Sequence, residues 1–76
     1  MIAIPAWNES GSVGQVVTHV REQIPGATVV VINDGSMDNT AQMAEEAGAT
    51  TITLPFNVGV GGAMRTAFLY AQREGF

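Results

Sequence analysis

Acidic and polar side chains follow the most apolar segment of the chain, in the stretch NDGSMD at residues 33–38. A strand that only closes a core needs a turn at this point, whereas two carboxylates beside a glycine could also bind a ligand. Asp34 has two interpretations, an Asx turn or an acceptor for a base or ribose. Asp38 is better explained as the N-cap of a following helix, because aspartate is among the residues preferred there.

A glycine-rich stretch, VGVGGAM at residues 58–64, forms a second candidate site. Its spacing resembles a dinucleotide-binding fingerprint, but the third glycine would fall at Met64 and the motif follows the third strand rather than the first. A P-loop is excluded because the chain has no Gly-Lys-Ser/Thr sequence. Two interpretations remain: close packing of a helix start against a sheet, or a loop in which Gly61 and Gly62 let a ligand reach backbone amides.

Three further side chains could contribute to a site, and a fourth is expected to be solvated. A cation gains nothing from the helix dipole in the first turns of a helix, so a ligand or an acid such as Asp34 would explain Arg65 better than helix stability does. Glu9 is either a solvated loop acid or an acceptor for a ligand. Trp7 is more typical of a core than of a pocket rim. His19 is expected to be solvated, since no second histidine and no cysteine could complete a metal site with it.

The segments between these residues predict the order β-α-β-α-β-α. Strands are expected over 2–7, 27–32 and 50–54, where apolar and β-branched residues are continuous. Helices are expected from Ser12, which has capping-box form with Gln15, from Asp38, and from the glycine-rich stretch. Met43 and Met64 are expected to fill gaps in the core. The first helix carries one apolar face at helical spacing: Val13, Val16, Val17, Val20 and Ile24.

This alternation predicts an α/β domain with a parallel sheet and right-handed crossovers. The polar stretches all follow predicted strands, whereas the opposite strand ends are plain turns. Ligands of open α/β sheets bind beyond the carboxyl ends of the strands. The sequence therefore predicts a single ligand-binding site, at the carboxyl edge of the sheet.

Composition excludes several classes of protein. A net charge of −4 with only three cationic side chains argues against nucleic-acid binding and against a membrane-surface helix. No apolar run reaches the roughly 18 residues of a membrane span. The absence of cysteine fits a reducing, cytoplasmic compartment.

Three motifs in this order resemble family 2 glycosyltransferases. IPAWNES at 4–10 resembles their Pro-Ala-Tyr-Asn-Glu opening, and VVVINDGSMDNT at 29–40 resembles their Asp-Asp-Gly-Ser-x-Asp-x-Thr segment. NVGVGGAMRTAFLYAQREGF at 57–76 resembles the Asn-x-Gly-x-Gly-x-Ala helix start of the polyprenyl-phosphate mannose and glucose synthase branch. Together the motifs cover nearly the whole chain.

The resemblance implies a three-layer, Rossmann-like GT-A nucleotide-binding half with strand order 3-2-1. It implies a nucleotide diphosphate sugar as donor and a hexose transferred to a lipid phosphate or similar acceptor, for a parent protein that could act at the cytoplasmic face of a membrane. Asp34 would contact the base or ribose, and Asp38 would mainly cap its helix. The implied nucleotide-binding residues are Pro5, Ala6, Trp7, Glu9, Asp34, Gly61, Gly62 and Arg65.

The sequence departs from the family pattern in three ways. Trp7 replaces the usual tyrosine, which keeps an aromatic wall but loses a hydroxyl. Asn33 replaces the first aspartate of the pair. The Asp-x-Asp that holds Mg²⁺ or Mn²⁺ against the diphosphate is not present, so no catalytic residue, metal site or cofactor is expected within residues 1–76. These residues are expected to form the N-terminal nucleotide-binding part of a transferase domain, truncated before Asp-x-Asp and inactive on its own.

Two alternatives and one corollary remain. The chain could be a non-catalytic nucleotide-binding or assembly domain of Rossmann-like fold. It could also be a flavodoxin-like or receiver domain, although Asn57 stands after the third strand where a receiver has a phosphorylatable aspartate. An exposed flank on the first strand favours edge-to-edge pairing, so we expect a homo-oligomer.

Overall fold

The computed structural model of the protein describes all 76 residues, as six elements in strict alternation. This confirms the predicted order of elements, and the strand limits differ from the expected ones by no more than two residues. The elements are β1 (Ile2–Ala6), α1 (Val13–Gln23), β2 (Val29–Asn33), α2 (Thr40–Glu46), β3 (Thr50–Thr53) and α3 (Gly59–Glu74).

The three strands form one parallel sheet with β2 in the centre, in the neighbour order β1-β2-β3. This is the predicted order 3-2-1 counted from the opposite edge. Val30 pairs with Ala3 on one side and with Thr50 on the other. All five residues of β2 are buried, because a central parallel strand is covered by neighbours at both edges and by helices on both faces.

Helices cover the sheet in two outer layers, as the three-layer prediction requires. Val29 and Val31 of β2 pack with side chains of α1 and α2 on one face. Val30 and Ile32 pack with Ala63 and Ala67 of α3 on the other. Alternation along β2 thus sends successive side chains into two separate cores. The small alanines allow α3 to approach the sheet closely.

Two expectations for α1 are wrong. Val13 and Val17 are buried, but Val16 and Ile24 are exposed. Val16 lies on the flank of the helix, and Ile24 is the C-cap, where the backbone leaves the helical conformation. The expected capping box does not form, because Ser12 is the N-cap without a side-chain bond. The first amides donate instead to the Glu9 carbonyl, at 3.0 Å from Ser12 and 2.9 Å from Val13.

β1 has an open edge. The Ile2 amide donates to the Thr28 carbonyl and the Ala6 carbonyl accepts from Asp34, both at 2.8 Å. Backbone groups of alternate residues point to opposite sides of a strand, so those of Ala3 and Pro5 point away from β2. Proline lacks an amide hydrogen and is tolerated at such an edge. No helix of the protein has the length and apolar character needed to cross a membrane.

Candidate functional site

The loops after β1, β2 and β3 meet at the carboxyl edge of the sheet and enclose a cavity of about 220 Å³. We call this cavity the crevice pocket. Its position is the one that the sequence pattern predicted for a functional edge. Its walls are formed by Pro5, Ala6, Trp7, Glu9, Asp34, Asn57, Gly59 and Val60.

Five of the eight residues expected to bind a nucleotide lie together in this pocket: Pro5, Ala6, Trp7, Glu9 and Asp34. The expectation that Trp7 belongs to the core is wrong, because 53% of its side chain is exposed. Trp7 follows the last residue of β1 and sits on the loop, where no helix layer covers it. Its ring is therefore available at the pocket rim.

Asp34 holds the start of α3. Its Oδ1 accepts a hydrogen bond from the Val58 amide at 2.8 Å, and its Oδ2 accepts one from the Gly59 amide at 2.9 Å. The carboxyl group is buried, and it lies at the positive end of the helix dipole, where an anion is stabilised. The side chain therefore makes neither an Asx turn nor an ion pair with Arg65. It links the end of β2 to the third helix.

Gly35 is required by close packing rather than by flexibility. Its φ of +71° lies in the left-handed region. A Cβ at this position would overlap the backbone of Phe56 and Asn57. The loop after β2 can therefore touch the loop after β3 only because residue 35 has no side chain.

The remaining three predicted residues do not line the crevice pocket. Gly61 and Arg65 are exposed, one turn apart on the side of α3 opposite Ala63. Gly62 packs against its own helix start, since a Cβ there would meet the Val58 side chain. Any role for these three beside a nucleotide rests on the family resemblance alone.

Side chains of two loops hold each other in a network that we call the loop clamp. The Asn8 amide donates to Ser36 Oγ at 2.9 Å, and Asn8 Oδ1 accepts from the Met37 amide at 2.7 Å. Asn8 has a φ of +51°, a conformation that asparagine tolerates better than most residues. The clamp fixes the loop that carries Trp7 and Glu9 against the loop after β2.

Asp38 and Thr40 complete the loop clamp. Asp38 Oδ1 accepts from the Thr40 amide at 3.0 Å, and its Oδ2 accepts from the Ser10 amide at 3.3 Å. Asn39 is the N-cap of α2 but makes no side-chain bond, so Asp38 supplies the expected capping interaction. The side-chain hydrogen bond from Thr40, together with bonds from Ser10, lowers the pKa of Asp38.

Sequence reasoning missed several residues of the site. Asn57, Gly59 and Val60 line the crevice pocket, whereas the glycine-rich stretch predicted Gly61 and Gly62, which lie further along α3. Asn8, Ser36 and Thr40 belong to the loop clamp. The sequence could have indicated these three residues, because Asn8 lies in the IPAWNES motif and Ser36 and Thr40 lie in the VVVINDGSMDNT motif.

A larger cavity of about 620 Å³ lies between α1 and α2. It is a surface groove whose charged side chains include Glu22 and Glu46. His19 lines it and is exposed, as expected for a solvated residue. We assign the candidate site to the smaller crevice pocket, because that pocket lies at the strand ends and contains the motif residues.

The chain does not contain the ligand set of a divalent metal. No three side chains among its one histidine and its aspartates and glutamates converge. The two acids of the loop after β2 already have hydrogen-bond donors, namely backbone amides for Asp34 and Thr40 with Ser10 for Asp38. These residues therefore do not fit a metal site of their own.

Comparison with known proteins agrees with this architecture. Residues 1–75 match the family described as glycosyl transferase family 2. The chain is 37% identical over 67 residues to protein RfbJ of Shigella flexneri, covering 88% of this chain and 51% of that protein. It is 41% identical over 51 residues to the 4,4'-diaponeurosporenoate glycosyltransferase of Staphylococcus aureus, covering 67% of this chain and 14% of that enzyme.

An uncharacterized protein of Methanocaldococcus jannaschii, MJ1222, is 32% identical over 76 residues, which is 95% of this chain and 31% of that protein. The fold and the match define a Rossmann-like α/β domain of glycosyltransferase type. The chain belongs to glycosyl transferase family 2. It spans about half or less of the length of these relatives. Membership of this family excludes the alternatives that the chain is a flavodoxin-like or a receiver domain.

Proposed function

We propose that this chain binds the nucleoside part of a nucleotide diphosphate sugar in the crevice pocket. In the full transferase that sugar, a hexose, would pass to a lipid phosphate or similar acceptor. The observation that carries the proposal is the convergence of Trp7, Glu9 and Asp34 in one cavity at the carboxyl edge of the sheet. Membership of the family supports a sugar-nucleotide donor.

The size of the pocket favours binding of only one part of the donor, rather than of the whole nucleotide sugar. Complete small-molecule sites enclose roughly 300–1,000 Å³, whereas this cavity has about 220 Å³. It suits a base or a base with part of its ribose. The diphosphate and sugar would then extend outward from the pocket.

The charges of the pocket lead to the same assignment. Its charged side chains are both acidic, Glu9 and Asp34, and a diphosphate would be repelled by them. The amides of Val58, the N-cap of α3, and of Gly59, its first residue, could otherwise bind an anion, but they already donate to Asp34. Base N–H groups and ribose hydroxyls are hydrogen-bond donors, and the exposed ring of Trp7 offers a surface for stacking.

Catalysis needs groups that we place outside these 76 residues. A divalent metal, Mg²⁺ or Mn²⁺, would neutralise charge on the leaving diphosphate, and the residues of this chain do not form its site. We therefore propose that the isolated chain binds nucleotide but does not transfer sugar. A cytoplasmic location is proposed from the absence of cysteine.

We further propose that the chain associates with itself through the open edge of β1. Val60 lines the crevice pocket with Pro5, so its flank of α3 faces this edge. Met64 and Phe68 continue the same flank at spacings of four residues, and all three side chains are exposed. Pairing of two copies would cover both the unpaired backbone and this uncharged stripe.

The experiment that tests the function is calorimetric titration of the sized chain with UDP and with GDP, each with and without Mn²⁺. We expect weak binding of one nucleotide that Mn²⁺ does not strengthen. Uridine alone should retain most of the affinity of UDP, because the proposed contacts are to the base and ribose. Absence of binding for both nucleotides, or binding that inorganic diphosphate reproduces, would contradict the proposal.

A further inference from the structure

Glu9, one of the two acids of the crevice pocket, is fixed by a chain of hydrogen bonds from outside the pocket. The Glu9 amide donates to Thr40 Oγ1 at 2.9 Å. The same Thr40 hydroxyl donates a hydrogen bond to Asp38 Oδ1. Neither Thr40 nor Asp38 lines the pocket. A residue at the start of α2 thus controls the position of a wall residue that follows β1.

The burial of Thr40 makes this connection hard to replace. Its side chain is fully buried, so water cannot take over the bond when the hydroxyl is removed. A hydroxyl that donates to a carboxylate is also a stronger acceptor, since linked hydrogen bonds polarise one another. Asp38 lies at the surface, and its pKa is lowered by the side-chain bond from Thr40. The carboxylate therefore remains ionised and keeps the hydroxyl oriented at neutral pH.

Asp38 also holds the next residue of the same loop. Its second oxygen, Oδ2, accepts from the Ser10 amide, so consecutive amides of the loop after β1 are bound to one pair of side chains. Without these two bonds, the Asn8 contacts would be the remaining hydrogen bonds between this loop and the loop after β2, and the Glu9 carbonyl would still accept from Ser12 and Val13. The backbone of Glu9, which carries one wall of the pocket, would then be held less firmly.

We propose that Thr40 and Asp38 are positioning residues of the crevice pocket, acting through the Glu9 and Ser10 amides to hold the wall against which the nucleoside binds. The inference rests on the proposed function of the pocket. It assigns to the second half of the Asp-Gly-Ser-x-Asp-x-Thr stretch an effect on affinity, in addition to its capping of α2.

The test uses Thr40→Val, which keeps the branched shape and removes the hydroxyl, and Thr40→Ser, which retains the hydroxyl. Thr51→Val is the matched control, because the Thr51 hydroxyl is buried without a partner. Two quantities are measured for each variant: the exchange rate of the Glu9 and Ser10 amide hydrogens by NMR, and the Kd for UDP and GDP by calorimetry.

For Thr40→Val we expect exchange at Glu9 to rise about tenfold, with exchange in β2 unchanged, and the Kd of the bound nucleotide to rise about five- to tenfold. Thr40→Ser should restore both values to within about twofold of the unsubstituted chain, and Thr51→Val should change neither. If Thr40→Val does not fold, Asp38→Ala replaces it, since that side chain is exposed. For Asp38→Ala we likewise expect faster amide exchange at Glu9 and a higher Kd of the bound nucleotide.

An unchanged Kd in Thr40→Val would overturn the inference while leaving the proposed function intact. An equal rise of Kd in Thr51→Val would also overturn it, because the effect would then be general destabilisation. If the unsubstituted chain binds neither UDP nor GDP, the proposed function fails. The amide exchange then decides alone: faster exchange at Glu9 supports the positioning role, and unchanged exchange contradicts it.

Discussion

The carboxylate of Asp34, at the end of β2, accepts the amide hydrogen of Gly59, the first residue of α3. The bond joins positions 25 residues apart and places the start of the third helix beside the central strand. Its geometry is that of a helix cap supplied from another element. Asp34 is thus both a wall of the crevice pocket and a structural connection between the loop after β2 and α3.

Replacement of Asp34 by alanine should destabilise the fold. The substitution leaves the Val58 amide without an acceptor and the Gly59 amide with only its 3.2 Å bond to Asn57 Oδ1. The lost cap and charged hydrogen bonds are expected to cost about 1–3 kcal/mol in the free energy of unfolding. Urea denaturation measures this value. Asn39→Ala is the control, because Asn39 is an N-cap with no side-chain bond, and it should change the free energy by less than about 0.5 kcal/mol. Equal losses in the two variants would refute the assignment.

Gly35→Ala should be poorly tolerated. The positive φ costs a non-glycine residue roughly 1–2 kcal/mol, and the added methyl group would overlap the backbone of Phe56 and Asn57. We expect a total destabilisation of at least about 2 kcal/mol in urea. Gly11→Ala is the comparison, because that glycine has open space around it and should give no loss. A Gly35→Ala variant of unchanged stability would show that the two loops are not in contact.

Trp7 provides a direct signal for ligand binding, since it is the only tryptophan and lines the crevice pocket. Addition of the bound nucleotide should change its fluorescence in a saturable manner. Stacking of a base on an aromatic ring contributes about 1–3 kcal/mol, so Trp7→Ala should weaken binding by about tenfold or more. Trp7→Phe should retain much of the affinity. Equal affinities for Trp7→Ala and the unsubstituted chain would place the base elsewhere.

Acidification should weaken the loop clamp through Asp38. Its pKa in the folded state is lowered, so between the folded and unfolded pKa values the unfolded chain binds more protons and stability rises with pH. The contribution is complete above the ordinary aspartate pKa of about 3.9 and is lost as pH falls through the lower, folded value. The free energies of unfolding of the unsubstituted chain and of Asp38→Asn should therefore differ at pH 6 and converge at strongly acidic pH. A difference that does not depend on pH would contradict this assignment.

Self-association should depend on one flank of α3. Phe68 is 62% exposed on the flank of α3 that continues from Val60, whereas Leu69 is 52% exposed on the other flank. We expect sedimentation to show a dimer or larger species and Phe68→Glu to shift it toward the monomer. Leu69→Glu introduces the same charge and should leave the distribution unchanged. A monodisperse monomer of the unsubstituted chain would refute the proposed association.

The architecture could be predicted from sequence because its signals are local. The continuous β-branched run of β2 and the helical spacing of Val13 and Val17 reflect the burial of each segment. Where a helix ends relative to the sheet is not a local property, and the exposed Ile24 shows the resulting error. Tryptophan is usually largely buried in proteins, which favoured a core position for Trp7, whereas its position on the loop after β1 exposes it.

The site could be predicted only in part, for a related reason. Motifs indicated which loops converge, and Trp7, Glu9 and Asp34 were found in this way. Hydrogen-bond partners across loops depend on the distance between strands and could not be deduced from spacing. The bonds from Val58 and Gly59 to Asp34, and from Glu9 to Thr40, therefore appear only in the structure.

The cross-loop bonds also bear on the order in which the chain folds. The bonds that link Asn8, Glu9 and Ser10 to the loop after β2 span 28 to 31 residues. Contacts so distant along the chain require loop closure, and it is the pairing of β1 with β2 that brings the two loops together. We therefore expect these bonds to form with the sheet or after it. The crevice pocket should thus be a late product of folding and the first part to open, while helix and strand hydrogen bonds persist. A bound nucleotide would then act on the kinetics of this edge, slowing its local opening more than the unfolding of the core.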